Sequence, residues 1–155
     1  MRDPSCVGAL IRNDEGRVFA QRRSATRRVL PGIWDIVGGH LEVGETVHDA
    51  LAREIREETG WLLRGIGPQV ADWEWEFDGV IRRELDYLVE VDGDLTVVKL
   101  EDGKHDRYVW IGLDSLHVMM EGRSDGDCRL RDIVARAINS SVGPTDNAQR
   151  NAGGS

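Results

Sequence analysis

Hydrophobic and polar positions alternate in short runs over the first forty residues. Residues 6–12 are small, apolar or β-branched, residues 13–16 (Asn-Asp-Glu-Gly) carry turn chemistry, and residues 17–22 form a second run, so the pattern predicts a hairpin. Residues 24–31 read as a basic loop. Residues 33–37 predict a short strand ending at Gly38-Gly39. The period then changes. Val47, Ala50, Leu51 and Ile55 recur at helical spacing and make one apolar stripe. Thr46, followed three residues later by Asp49, predicts a capping box at the start of this helix. Gly60 fits the left-handed residue that closes it.

Strand-like alternation returns in the later part of residues 62–77, where Trp73, Trp75 and Phe77 alternate with Glu74 and Glu76. Asp78-Gly79 is a hairpin turn signal. Residues 80–91 should pair with the preceding strand, and Asp92-Gly93-Asp94 ends them. A further strand is predicted over residues 107–111, and a helix starting in 113–120 with Asp114 or Ser115 near its cap. Leu130, Ile133, Val134, Ala137 and Ile138 place another helix in 128–139. From Ser140 the chain has almost no large apolar residue, which predicts one domain over residues 5–139 and a disordered tail over 140–155. There is no internal repeat. The pattern gives an α+β class, a mixed sheet with helices on both sides.

Composition narrows the partners. A chain of 155 residues can bury one real core. Its net charge of −8 disfavours duplex nucleic acid through the global field, while a small anionic ligand held by a cation and local arginines stays compatible. Cys6 and Cys128 lie far apart and form no framework, so reduced thiols and a cytoplasmic protein are expected. The first residues are too short an apolar run for a signal peptide, and no window approaches a membrane span. Oligomeric state is open, a homodimer included.

The helix over the apolar stripe carries the chemistry. Glu54, Glu57 and Glu58 stand at i, i+3 and i+4 and share one face. On an exposed helix each close like-charged pair costs ~0.2–0.5 kcal/mol, and a divalent cation reverses that sign. Oxygen-only ligands suit Mg²⁺ or Mn²⁺, with substrate phosphates completing the shell. Arg53 is one turn before Glu57 and within reach of it. Arg22, Arg23, Arg27 and Arg28 form a basic patch ahead of the helix, suited to phosphate by guanidinium geometry. Trp34, Trp73 and Trp75 could stack on a base, although alternation alone leaves open which face the last two occupy.

Gly39, Glu45, Arg53, Glu54, Ile55, Glu57, Glu58, Gly60 and Trp61 fall at the spacing of the Nudix box, and the segment resembles it at every fixed position. Trp61 stands where an aliphatic residue is usual. The likeness extends to the Leu30-Pro31-Gly32-Ile33-Trp34 lead-in and to Tyr108-Val109-Trp110-Ile111. It implies a Nudix α/β/α sandwich with a mixed β-sheet between helices. It also implies Mg²⁺-dependent hydrolysis, with Mn²⁺ as substitute, of a nucleoside diphosphate linked to another group. A (d)NTP or oxidised (d)NTP cut to monophosphate and pyrophosphate leads. Dinucleoside polyphosphates, nucleotide sugars and dinucleotides are the alternatives, and a non-catalytic ligand-binding module is another, against which the intact glutamates speak. Isoprenyl diphosphate isomerisation would want a cysteine near the metal, and both cysteines lie near the chain ends.

The same resemblance implies Glu57 and Glu58 as metal ligands, Glu54 as ligand or base, and the Gly39 carbonyl as a further ligand. Arg53 would orient these carboxylates and Glu45 would tie loop to helix. Arg22 or Arg23 would contact phosphate and Trp34 would line the cleft. Many relatives carry a later-loop Glu where Lys104 stands here; Glu101, Asp102, Asp106 or His105 could take that place.

Overall fold

A computed structural model of the chain describes residues 2–141; the predicted tail lies outside them beyond Ser141. In chain order the elements are β1 Cys6–Ile11, β2 Val18–Arg23, β3 Trp34–Asp35, β4 Val37–His40, helix α1 Val47–Thr59, β5 Leu62–Phe77, β6 Val80–Asp92, β7 His105–Ile111, a 3-10 helix Leu113–Met120 and helix α2 Arg129–Asn139. Four strands form one sheet in the order β4-β1-β6-β5 and three form another in the order β3-β2-β7. β1 runs parallel to β6 and antiparallel to β4, so the larger sheet is mixed.

Strand alternation divides the core in two. Val18 and Ala20 join Leu10, Ile36 and Leu88 beneath α2, which contributes Leu130, Ile133, Val134 and Ala137. Phe19 points the other way, with Val7, Ala9 and Val37, beneath Ala50, Leu51 and Ile55 of α1. Helices therefore cover both faces, as the apolar stripes require. Trp61 closes α1 into the second core. Its ring meets Phe19 edge-on at 5.2 Å and stacks on Trp110 at 6.0 Å, and its indole N–H donates to the Asp94 carbonyl at 3.1 Å. Aromatic pairs of this kind add about 0.5–1.5 kcal/mol beyond their buried area, which accounts for an indole at a position usually aliphatic.

Several boundaries differ from the sequence reading. Gly38 and Gly39 do not end a strand; they lie inside β4, which pairs with β1 through Val7↔Gly39 and Gly8↔Gly38. A Cβ on Gly38 would lie 2.2 Å from the Val7 carbonyl, so the close pairing demands glycine. β5 spans its whole segment rather than only the later part, with irregular pairing near Gly65 and Gln69 absorbing the extra length. The segment after Ile111 is a 3-10 helix. The Asp78-Gly79 turn has φ of 53° and 75°, the twisted geometry that favours such hairpins. The β5–β6 tip reaches past its neighbour, for β1 starts pairing only at Glu84, with Ser5 bonding Arg83 just before it.

Candidate active site

α1 is placed at both ends by its caps. Thr46 accepts from the Asp49 N–H at 3.1 Å while Asp49 accepts from the Thr46 N–H at 3.3 Å, and Gly60 closes the helix at φ 79°. Its polar edge carries Arg53, whose guanidinium gathers the neighbouring acids. Arg53 donates to both Glu45 oxygens at 2.8 and 2.9 Å, to Glu54 at 2.7 Å, to Glu57 at 3.4 Å and to the His40 carbonyl at 3.0 Å. The forked bond holds the Glu45 carboxyl down at about 2. The Arg53 side chain is only 18% exposed, so these bonds are shielded from water.

Glu58 is 6% exposed. One of its oxygens accepts from the Gly38 N–H at 2.9 Å and from Gln21 Nε2 at 3.1 Å. Burial, then the Glu54 charge, pushes its carboxyl well above the usual range, and burial also raises Glu54. Gly39 makes room for Glu54: a Cβ there would sit 2.5 Å from Glu54 Oε1. Two raised carboxylates, with a third on the same edge and the Gly39 backbone against one of them, form an oxygen-only donor set that suits a hard divalent cation. Among the described residues no three His, Cys, Asp or Glu side chains are already gathered around a point, and Arg53 engages Glu54 and Glu57.

Glu54 and Glu58 border a cleft of about 510 Å³. Arg23, Arg27, Lys104 and Arg123 line it together with Glu54 and Glu58, and so do Trp73, Trp75 and Glu84. A second cleft of about 730 Å³, bordered by Arg64, Leu95 and Trp110, holds none of the helix carboxylates.

A NUDIX domain profile matches residues 2–130. The chain belongs to the Nudix family. Its relatives include nucleoside triphosphatase NudI of Klebsiella pneumoniae, 33% identical over 129 residues that cover 75% of this chain and 86% of the relative. NudI of Escherichia coli K12 is 43% identical over 84 residues, spanning 53% of this chain and 55% of that protein. The crystal structure of the MutT protein from Methanosarcina mazei superposes with a TM-score of 0.67 at 27% identity, covering 88% of this chain and 95% of that one.

Set on this Nudix frame, the residues read from the sequence separate. Gly39, Glu54 and Glu58 meet at the cleft, and Arg53 sits beside them. Glu57 is 38% exposed at the helix edge, outside the cleft lining. Arg23 faces the cleft, bonded to the Val29 carbonyl at 2.8 Å and near Asp35 at 3.9 Å. Arg22 points away, forked onto Asp106 at 2.8 and 2.9 Å. Trp34 does not line the cleft. It is 7% exposed in the α2-side core and bonds Glu121 at 2.9 Å, because its strand faces that core. His105 is buried, and desolvation followed by Arg27 and Arg23 pushes it down to about 3, too weak for a base near neutrality. Glu101 is closer to the task. Its Oε2 is buried without a partner among the described residues, and its charge acts on Glu58. Cys6, near the chain end, lies in the cleft, with Sγ 3.3 Å from His40 Nδ1. Burial pushes that thiol up to about 12, so it is no nucleophile.

Gln21, Asp35, Glu84 and Asp86 escaped the sequence reading. Gln21 had a signal, a polar residue closing the otherwise apolar run Val18, Phe19, Ala20.

Two neighbouring glycines should respond differently. Gly38→Ala meets backbone and is expected to lower Tm sharply. Gly39→Ala meets only the end of the Glu54 side chain, so it should stay folded while turnover falls; equal Tm losses in both would contradict this. Arg53→Ala leaves Glu45, Glu54 and Glu57 without their shared partner and is expected to cost about 3 kcal/mol, a Tm drop of roughly 6–12 °C for a chain of this size. A melt unchanged within error would show that the ion pairs contribute nothing.

Proposed function

We propose that this Nudix chain is a Mg²⁺-dependent nucleoside-triphosphate pyrophosphohydrolase, releasing monophosphate and pyrophosphate. The observation that carries the reading is the joining, in one cleft, of the Glu54/Glu58 carboxylate pair with arginines and indoles. Two relatives bearing the name nucleoside triphosphatase support it. Hydrolysis of a phosphoanhydride needs charge neutralised on the non-bridging oxygens and a water aimed in line. A cation on Glu54, Glu57 and Glu58 supplies the neutralisation when bound. Gly38 and Gln21 hold Glu58 in place, and Arg53 fixes the direction of Glu54. Glu54 or Glu101 would accept the water's proton. Arg23 and Lys104, in the cleft lining, would meet the phosphates.

A nucleotide panel with Mg²⁺ tests the reading, with phosphate measured before and after adding pyrophosphatase. Phosphate should appear only after pyrophosphatase. Phosphate released without it would mean cleavage at the terminal group instead, and a silent panel would reject the activity.

The two arginines offer a finer check. Arg23→Ala is expected to lower kcat/KM roughly ten- to a hundred-fold, the worth of a charge-assisted hydrogen bond. Arg22→Ala, which breaks a partly exposed pair with Asp106, should change it less than about threefold. The reverse ranking would move phosphate recognition to Arg22.

A further inference from the structure

The hydrolytic reading makes no use of a soft-donor pair in the same cleft. Cross-strand pairing sets His40, Cys6, Glu84 and Trp73 in one row, side by side on one face of the larger sheet. Cys6 and His40 both line the cleft. Cys6 Sγ lies 3.3 Å from His40 Nδ1. Zinc bound tetrahedrally to sulfur and to imidazole nitrogen holds the two donors about 3.6 Å apart, so a shift of a few tenths of an ångström turns the contact into a chelate. The next carboxylate in the row is engaged elsewhere, because Glu84 Oε1 accepts from the Trp75 indole at 3.2 Å. Sulfur and nitrogen are thus the protein's donors here, and water or a phosphate oxygen completes the shell.

We propose that Cys6 and His40 form a second cation site, one for a thiophilic ion such as Zn²⁺, and that filling it stops turnover. Softness separates it from the helix carboxylates. Mg²⁺ prefers oxygen and keeps its water, whereas thiolate and imidazole select Zn²⁺ or Cu(I). Burial keeps the free Cys6 thiol protonated, yet a coordinating thiol gives up its proton to solvent as the sulfur–metal bond forms. Binding reaches the reaction through the backbone. His40 follows Gly39, and its carbonyl accepts from Arg53 at 3.0 Å. An ion that draws the His40 ring toward Cys6 therefore acts on the strand that places Gly39 against Glu54. It also sets a positive charge and its own waters in the cleft that the substrate must enter. The binding stands apart from the hydrolytic reading, while the loss of turnover rests on it.

Cd²⁺, a spectroscopic stand-in for Zn²⁺, tests the site apart from catalysis. Titrated with Cd²⁺ in excess Mg²⁺, the unaltered protein should gain an ultraviolet thiolate-to-metal absorbance that saturates at one ion per chain. Cys128→Ser should keep this band and Cys6→Ser should lose it. His40→Ala, at an exposed position, should weaken Cd²⁺ binding at least about tenfold; it carries the test even if Cys6→Ser fails to fold. Turnover of a triphosphate in Mg²⁺ is then measured against added Zn²⁺, each variant relative to its own Zn²⁺-free rate. Half-inhibition of Cys6→Ser should need at least about tenfold more Zn²⁺ than that of the unaltered chain. No thiolate band, or a band lost in Cys128→Ser and kept in Cys6→Ser, would overturn the site. Equal Zn²⁺ inhibition of Cys6→Ser and the unaltered chain would move the inhibiting ion to the helix carboxylates and overturn the effect on turnover. The expected band in a chain that hydrolyses no triphosphate would retain the site and reject the hydrolytic reading.

Discussion

Turnover is expected to vanish in excess chelator and to return with Mg²⁺ or Mn²⁺. Glu54 and Glu58 are raised by burial and Glu58 further by the Glu54 charge, so ionising both in the cleft costs free energy that a bound cation would offset. Arg53 satisfies the outer acids, but its bonds reach Glu45, Glu54 and Glu57, not Glu58. A cation that binds the folded chain should also stabilise it, by about 2.7 kcal/mol at a hundredfold excess over Kd. Its affinity should weaken as pH falls through the raised carboxyl values, since ligands must lose their protons first. The measurements are initial rate and Tm across a Mg²⁺ titration at two pH values. Full activity in excess chelator would sink the metal mechanism.

Glu58→Gln should lower kcat at least ~10²-fold, the scale for losing a group that acts at the reacting centre, while raising Tm in metal-free buffer at neutral pH. The sequence puts Glu57 and Glu58 on one helix face, and the structure separates them by burial. Glu58 is buried with a raised carboxyl, so the folded state favours its protonated form. Stability tied to this group is therefore full below the unfolded value of 4.5 and is lost as pH rises toward the raised folded value. Gln keeps the shape and an oxygen for the Gly38 N–H, and removes the buried charge. Its Tm gain should shrink as pH falls toward 4. Glu57→Gln, at the exposed edge, should lose activity with Tm nearly unchanged. Unfolding of Glu58→Gln would instead mark that carboxylate as structural.

The box helix was legible because its determinants are local. The Thr46–Asp49 cap, the stripe from Val47 to Ile55 and the Gly60 stop all act within a few residues. What the sequence hid was decided by pairing between distant strands. Gly38-Gly39 looked like punctuation, yet they continue a strand because β1 approaches them closely. Trp73 and Trp75 share a face by alternation, but only the register with Glu84 and Arg82 turns that face to the cleft. Trp34 stood in the segment resembling the family lead-in, and its strand turned it inward. Cys6 was dismissed for its place near a chain end, although β1 runs through the middle of the sheet.

The overhanging β5–β6 tip has a mechanical consequence. Past Arg83, among the described residues, its ladder has no strand on the β1 side, so there Trp75↔Arg82, Glu76↔Ile81 and Phe77↔Val80 pair only within the hairpin. Such one-sided segments open at far lower free energy than a core. Amide hydrogens there should exchange with solvent long before those of β1 or α1. Trp75 stands on this loose end while Glu58 is anchored to β4 and β2. One wall of the cleft can thus breathe to admit or release a bulky ring while the helix carboxylates stay where they are.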